Sequence, residues 1–124
     1  MKKSILFLIV AAAFTVPGAA KAGCMATVGL SSMPKSGHQA GQPWIVTIRV
    51  LQHGRTPMPD AKPEVRIRNG AGKLLRFKAR KTARVGSYRA RVVFPRAGTW
   101  RWSIWDGFTR THTYKAVRVG TAAT

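Results

Sequence analysis

The most regular feature of this chain is an alternation of apolar and polar residues that begins near residue 25 and runs almost to the C-terminus. A two-residue period is typical of β-strands with one buried face, and no helical period appears in that range. The alternation predicts strands at residues 25–32, 43–52, 64–68, 74–81, 86–94, 99–105 and 108–114, with 116–119 continuing the last one past an irregularity.

Glycine and proline separate these predicted strands. Pro57, Pro59 and Pro63 place residues 53–63 in a long connection, because proline donates no ladder hydrogen bond. Asp106-Gly107 is typical of a tight hairpin turn. About seven short strands with such turns predict an all-β fold, an antiparallel two-sheet β-sandwich. The predicted inward faces carry most of the large aromatic residues, namely Trp44, Phe77, Tyr88, Phe94, Trp100 and Trp102.

The N-terminal residues have the order of a secretory signal peptide. Lys2 and Lys3 precede an apolar run at residues 5–16, and small residues follow as far as Ala22. The run is shorter than the about 20 residues that cross a bilayer, so a signal peptide is favoured over a transmembrane anchor. We predict a signal peptide at 1–22 and one domain at 23–124, with cleavage after Ala20 as the second choice. The mature protein is then extracytoplasmic (periplasmic or secreted), with no transmembrane segment.

Cys24 is the only cysteine of the chain. Ala22-Gly23-Cys24 resembles the end of a lipoprotein signal, in which the cysteine carries a lipid anchor. Lys21 stands where such signals have an apolar residue, so an unlipidated thiol is the favoured interpretation. A single cysteine forms no internal disulfide, and the domain must therefore be stable without one.

Charge is the most unusual property of the composition. Removal of Lys2, Lys3 and Lys21 leaves 19 basic and 3 acidic residues, a net charge of +16. Small domains usually carry a net charge of about 2–8 in magnitude. Such a surface favours polyanionic partners: an anionic envelope polymer, a membrane surface or an acidic partner protein. Because export argues against genomic nucleic acid as a ligand, none is expected.

A second interpretation of the charge stays open. The arginines alternate with apolar residues, as on the solvated face of a half-buried sheet. Solubility or adaptation to a habitat therefore explains the positive charge equally well. Catalysis is not expected. The three acidic residues Asp60, Glu64 and Asp106 lie in or beside predicted loops, and no nucleophile elbow, phosphate-binding loop or zinc motif is present.

Several short motifs resemble a known family. Gly86-Ser87-Tyr88 resembles the tyrosine corner of immunoglobulin-like sandwiches, with Ala90 in the place of the antibody cysteine. With 92–95 and 98–100, this run is similar to exported bacterial domains of the YtkA-like group, as are 41–44 and 51–54. The resemblance implies an immunoglobulin-like sandwich distantly akin to copper-resistance carrier domains, and it covers most of the mature chain.

Copper binding is the alternative function. Thioether sulfur and imidazole suit Cu(I), and the candidate ligands occupy two predicted loops: His53 with Met58, and Met33 with His38. In the copper carriers that the resemblance points to, loop His and Met residues bind the metal. The competing interpretation is that these side chains pack at the first strand and at one end of the sandwich.

The leading prediction is a non-catalytic binding domain whose basic faces meet an anionic surface or partner. Trp105 and Phe108 flank the Asp-Gly turn, and they either lie exposed for stacking or pair across the hairpin. The candidate binding surface consists of Trp105, Phe108, Arg101, Arg110, Arg89 and Arg91.

Overall fold

The structure, a computed structural model, describes residues 25–122. The predicted signal peptide, both predicted cleavage positions and Cys24 lie outside the described residues. Within 25–122 there is no helix with the length and apolar character of a membrane span. The described chain forms ten strands: β1 (Ala26–Leu30), β2 (Pro43–Gln52), β3 (Thr56–Pro57), β4 (Glu64–Asn69), β5 (Leu74–Lys78), β6 (Arg80–Lys81), β7 (Ser87–Val93), β8 (Gly98–Trp105), β9 (Thr111–Thr113) and β10 (Val117–Val119).

The strands form two antiparallel sheets packed face to face. Sheet one has the order β1-β2-β7-β6, with β3 also paired to β2, and sheet two has the order β10-β8-β4-β5, with β9 paired to β8. In chain order these correspond to the A-B-E-D and G-F-C sheets of an immunoglobulin domain, with β5 added beyond the C strand. The predicted immunoglobulin-like β-sandwich is confirmed, although several of its ten strands are only two or three residues long.

Aromatic side chains join the two sheets. Trp44 of β2 meets Trp102 of β8 edge to face, with ring centroids 5.2 Å apart. Tyr114 stacks on the other side of Trp102 at 4.3 Å, and Phe94 packs edge to face on Trp100 at 5.8 Å. The rings of Trp44, Phe94, Trp100 and Trp102 point inward as the alternation predicted, whereas Tyr114 was not among the predicted inward residues. The residues at the opposite parity of β2 and β8 point away from the core.

One predicted strand is wrong. Residues 74–81 were expected to form a single strand, but β5 belongs to sheet two and β6 to sheet one. The chain changes sheets at Ala79, whose N–H donates to the carbonyl oxygen of Pro63 at 3.0 Å. The inward spacing of Leu75, Phe77 and Ala79 continues through this crossing without glycine or proline, so the local pattern does not reveal it.

Tyr88 is a buried anchor, but not the corner that the resemblance implied. Its hydroxyl donates to the Met58 carbonyl at 2.5 Å and accepts the Ala61 N–H at 2.9 Å, both in the β3–β4 connection. In antibody domains the tyrosine and the second cysteine lie on the strand that corresponds to β8, whereas Tyr88 and Ala90 lie on β7. Tyr88 therefore holds the β3–β4 connection against sheet one. Gly86 permits this approach, since a Cβ there would lie 2.7 Å from the Cβ of Pro57.

We expect Tyr88→Phe to lower the free energy of unfolding by about 1–3 kcal/mol, because the variant leaves a buried carbonyl and a buried N–H without their partner. Tyr114→Phe is the matched control, since it preserves the stack on Trp102 and its hydroxyl makes no hydrogen bond to the described residues. Urea unfolding followed by tryptophan fluorescence measures both. Equal stability of Tyr88→Phe and wild type would contradict the anchoring role.

Candidate anion-binding surfaces

The four candidate copper ligands lie at opposite ends of β2. Met33 and His38 are in the β1–β2 connection, beside the first residues of β2, whereas His53 and Met58 are at its far end. Trp44 and Gln52 are eight residue steps apart along the strand, a distance of about 26 Å. A single site built from all four side chains is therefore excluded, and only the separate pairs remain.

The side chains of the two pairs differ in their surroundings. His38 donates from Nε2 to the carbonyl oxygen of Gln42 at 2.7 Å, which leaves Nδ1 as its free nitrogen. Met58 is half-buried against the core, as the packing interpretation predicted, whereas His53 is exposed. No group of three His, Cys, Asp or Glu side chains among residues 25–122 is placed to share a metal ion. Copper binding stays a prediction.

The predicted binding surface is divided between the two sides of the sandwich. Arg89 and Arg91 lie on the outer face of sheet one, and Arg101 lies on the outer face of sheet two. Trp105 shares the outer face of sheet two, half-buried, with the Arg66 guanidinium 5.7 Å above its ring centroid. These residues therefore belong to two separate surfaces rather than to one.

The hairpin between β8 and β9 is longer than the Asp-Gly signal predicted. Trp105 pairs with Thr111, so five residues form the connection, and Phe108 and Arg110 lie within it. Trp105 and Phe108 are consequently not cross-strand neighbours. Phe108 is 39% exposed, and its ring makes no aromatic pair among the described residues.

A buried carboxylate holds this connection together. Asp106 is fully buried and accepts N–H groups from Phe108, Thr109 and Arg110, together with His112 Nε2 at 2.9 Å. Gly107 is required beside it: its φ is +77°, and a Cβ there would overlap the backbone of Lys62. The Asp-Gly dipeptide predicted a turn, but no local pattern indicates that the carboxylate is buried.

Two opposing effects act on the pKa of Asp106. Burial would raise the pKa of its carboxyl, but the hydrogen bonds from His112 and from the three backbone N–H groups outweigh burial and lower the pKa. Asp106 is therefore ionised at neutral pH, and its bonds favour the folded state.

The outer face of sheet two carries a diagonal row of arginines, called here the arginine stripe. Arg76 of β5 lies directly opposite Arg66 of β4, and Arg68 of β4 lies directly opposite Arg101 of β8. Arg118 of β10 continues the row beside Thr99. Neighbouring strands are about 4.8 Å apart and alternate residues about 6.8 Å, so the stripe is about 20 Å long.

Carboxylates neutralise little of this stripe. Among residues 25–122, Asp60 pairs with Lys81, Glu64 with Arg66, and Asp106 with His112. The other four arginines of the stripe have no carboxylate partner in this part of the chain. Two shallow depressions of about 380 and 330 Å³ lie along the stripe, and both contact Arg68 and Arg101.

Most arginines of the stripe were not among the residues predicted to form the binding surface. Of the stripe's five members, only Arg101 was a candidate, and Arg66, Arg68 and Arg76 were expected merely to face solvent. Alternation predicted their outward direction, whereas the residues beside them depend on strand register.

No protein-family model matches the sequence, and no curated protein matches it as a relative.

We expect Asp106→Ala to lower the free energy of unfolding at neutral pH by about 2–4 kcal/mol, because three N–H groups and His112 lose a buried partner. The folded pKa lies below the unfolded value of about 3.9, so the contribution is complete above about pH 4 and is lost as pH falls through the folded pKa. The difference between wild type and variant should therefore shrink in acid.

Urea unfolding between neutral pH and pH 3, in salt that screens exposed pairs, measures this difference. Asp60→Asn is the control, because its ion pair with Lys81 is exposed and should leave the acid dependence close to that of wild type. A constant gap between wild type and Asp106→Ala over the whole pH range would contradict the assignment.

Proposed function

We propose that this protein is a non-catalytic binding domain that holds an extended anionic polymer along the arginine stripe. The observation that carries the proposal is the strand register, which places Arg76 directly opposite Arg66 and Arg101 directly opposite Arg68. Like charges directly opposite each other destabilise a sheet by up to about 1 kcal/mol per pair. An anion between the two guanidinium groups turns this repulsion into attraction.

The shape of the stripe favours a chain over a compact ligand. Its arginines follow one diagonal across β5, β4, β8 and β10, so a polymer with charges repeated every few ångströms can meet several of them in turn. Guanidinium groups bind carboxylate, sulfate and phosphate oxygens in a two-pronged geometry. Hydroxyl groups of Ser103 and Thr113, which pair directly across β8 and β9, border the stripe and add neutral hydrogen-bonding partners.

The surroundings of the stripe support recognition by charge rather than by nucleotide bases. A single-stranded nucleic acid is held largely by aromatic rings that stack on its bases. Trp100 and Trp102 are buried, and the Trp105 ring is partly covered by Arg66. The exposed contacts that the stripe offers are therefore mainly cationic and hydroxyl groups, with the half-buried Leu74 beside them.

The test is a double variant that breaks both like-charge pairs, Arg76→Gln with Arg101→Gln. These two side chains are exposed, while Arg66 keeps its ion pair with Glu64 and Arg68 keeps its bond to the Gly72 carbonyl. We expect binding to heparin, as a sulfated polymer, to weaken by at least about tenfold near physiological salt, with a shallower salt dependence. The same variant should be at least as stable to urea as wild type, because Arg68 no longer lies opposite a second cation.

The control is Arg55→Gln with Arg96→Gln, which lowers the net charge equally but lies in connections outside the stripe. It should bind heparin much more tightly than the stripe variant. Equal loss in both variants would show that total charge, and not the stripe, carries the affinity. Wild-type affinity unchanged between low and high salt would refute polyanion binding altogether, and a stripe variant that keeps heparin binding but loses binding to anionic vesicles or to an acidic protein would refute the polymer.

A further inference from the structure

A second cationic surface lies on the opposite side of the sandwich. The outer face of sheet one contains a groove of about 720 Å³. It is bordered by the end of β5, by β6 and by the outward residues of β7, and Ile45 of β2 lies on its other side. The volume is within the range of about 300–1,000 Å³ that small-ligand sites occupy.

Cations dominate the polar part of this groove. Arg80 of β6 lies directly opposite Arg89 of β7, which is a third like-charge pair, and Arg91 and Lys78 also line the groove. Lys81 is bonded to Asp60 at 2.6 Å. The other four cations have no carboxylate partner among residues 25–122. An oxyanion in the groove would relieve the repulsion between them.

Apolar side chains also line this groove. Ile45 faces outward and is 49% exposed, directly opposite Arg91 in the register of β2 and β7. Phe77 is half-buried and lies at another part of the lining. A purely ionic ligand would leave these apolar surfaces in water, whereas a ligand that joins an oxyanion to an apolar chain covers both kinds of surface.

We infer that this groove binds the phosphate-bearing headgroup and the adjoining apolar chain of an anionic lipid presented by a bilayer. The arginines of β7 and β6 hold the phosphate, and Ile45 and Phe77 contact the beginning of the chain. The stripe lies on the far side of the core, across sheets about 10 Å apart. β5 contributes Arg76 to the stripe and both Phe77 and Lys78 to the groove, but the arginines of the groove belong to β6 and β7, so the lipid site does not rest on the proposed polymer binding.

The first probe is octyl phosphate, titrated as a monomer and compared with inorganic phosphate and octyl glucoside. We expect octyl phosphate to bind at least about tenfold more tightly than either, because only it supplies both charge and apolar surface. Backbone amide chemical shifts should change at residue 45 and in 77–83 and 89–91. Tighter binding by inorganic phosphate, or shifts centred on 66–68 and 101, would overturn the inference.

Two variants separate the two halves of the site. Arg89→Gln with Arg91→Gln should weaken octyl phosphate binding by about tenfold or more, while Ile45→Thr should reduce octyl phosphate affinity and leave inorganic phosphate unchanged. Threonine keeps the β-branch of isoleucine, so the strand is preserved. An Ile45→Thr variant with wild-type octyl phosphate affinity would exclude the apolar contact.

The source of the ligand is tested with phosphatidylglycerol vesicles, which should displace octyl phosphate, while phosphatidylcholine vesicles should not. Failure of phosphatidylglycerol to displace it would overturn the assignment to a bilayer lipid. The stripe variant Arg76→Gln/Arg101→Gln should bind octyl phosphate with wild-type affinity, while its affinity for heparin falls. Loss of both ligands in that variant would show one shared surface, and loss of heparin alone leaves the lipid site intact.

Discussion

The structure depends on aromatic packing between its two sheets. Trp44 comes from sheet one, Trp102 comes from sheet two, and their edge-to-face contact lies at the centre of a core that includes Trp100 and Phe94. A domain of about 100 residues has limited surface to bury. Large rings supply much apolar area per residue, and their defined geometry fixes the position of one sheet against the other.

This packing determines which faces of the sandwich carry the charged side chains. Since alternate residues of β2, β4, β7 and β8 must point inward to form the core, the residues between them must point outward, and many of those are arginine. The net charge is therefore spread over both outer faces of the sandwich. Three of the resulting cross-strand neighbours are pairs of arginines, and of these arginines only Arg66 has a carboxylate partner among residues 25–122. An anion between such neighbours would lower the repulsion between them.

Two of the three acidic residues stabilise the fold. Asp106 closes the β8–β9 connection from a fully buried position, and Glu64 joins Arg66, whose guanidinium also covers Trp105. Their use inside the domain leaves both outer faces strongly positive. A surface of this kind is suited to anionic partners, and the stripe and the groove differ in the apolar side chains that accompany the charge.

The sequence by itself determined the fold class, the inward aromatic residues and most strand positions, because a two-residue period and turn-forming dipeptides are local signals. β2 was predicted with its observed limits, and β7 and β8 to within about one residue at each end. Local signals do not report which strands become neighbours. The sheet change at Ala79, the partners of Tyr88 and the burial of Asp106 all depend on segments distant in sequence. For the same reason only the tertiary structure placed Arg89 and Arg101 on opposite faces and brought Arg68 beside Arg101: strand pairing and sheet packing, not residue spacing, set these distances.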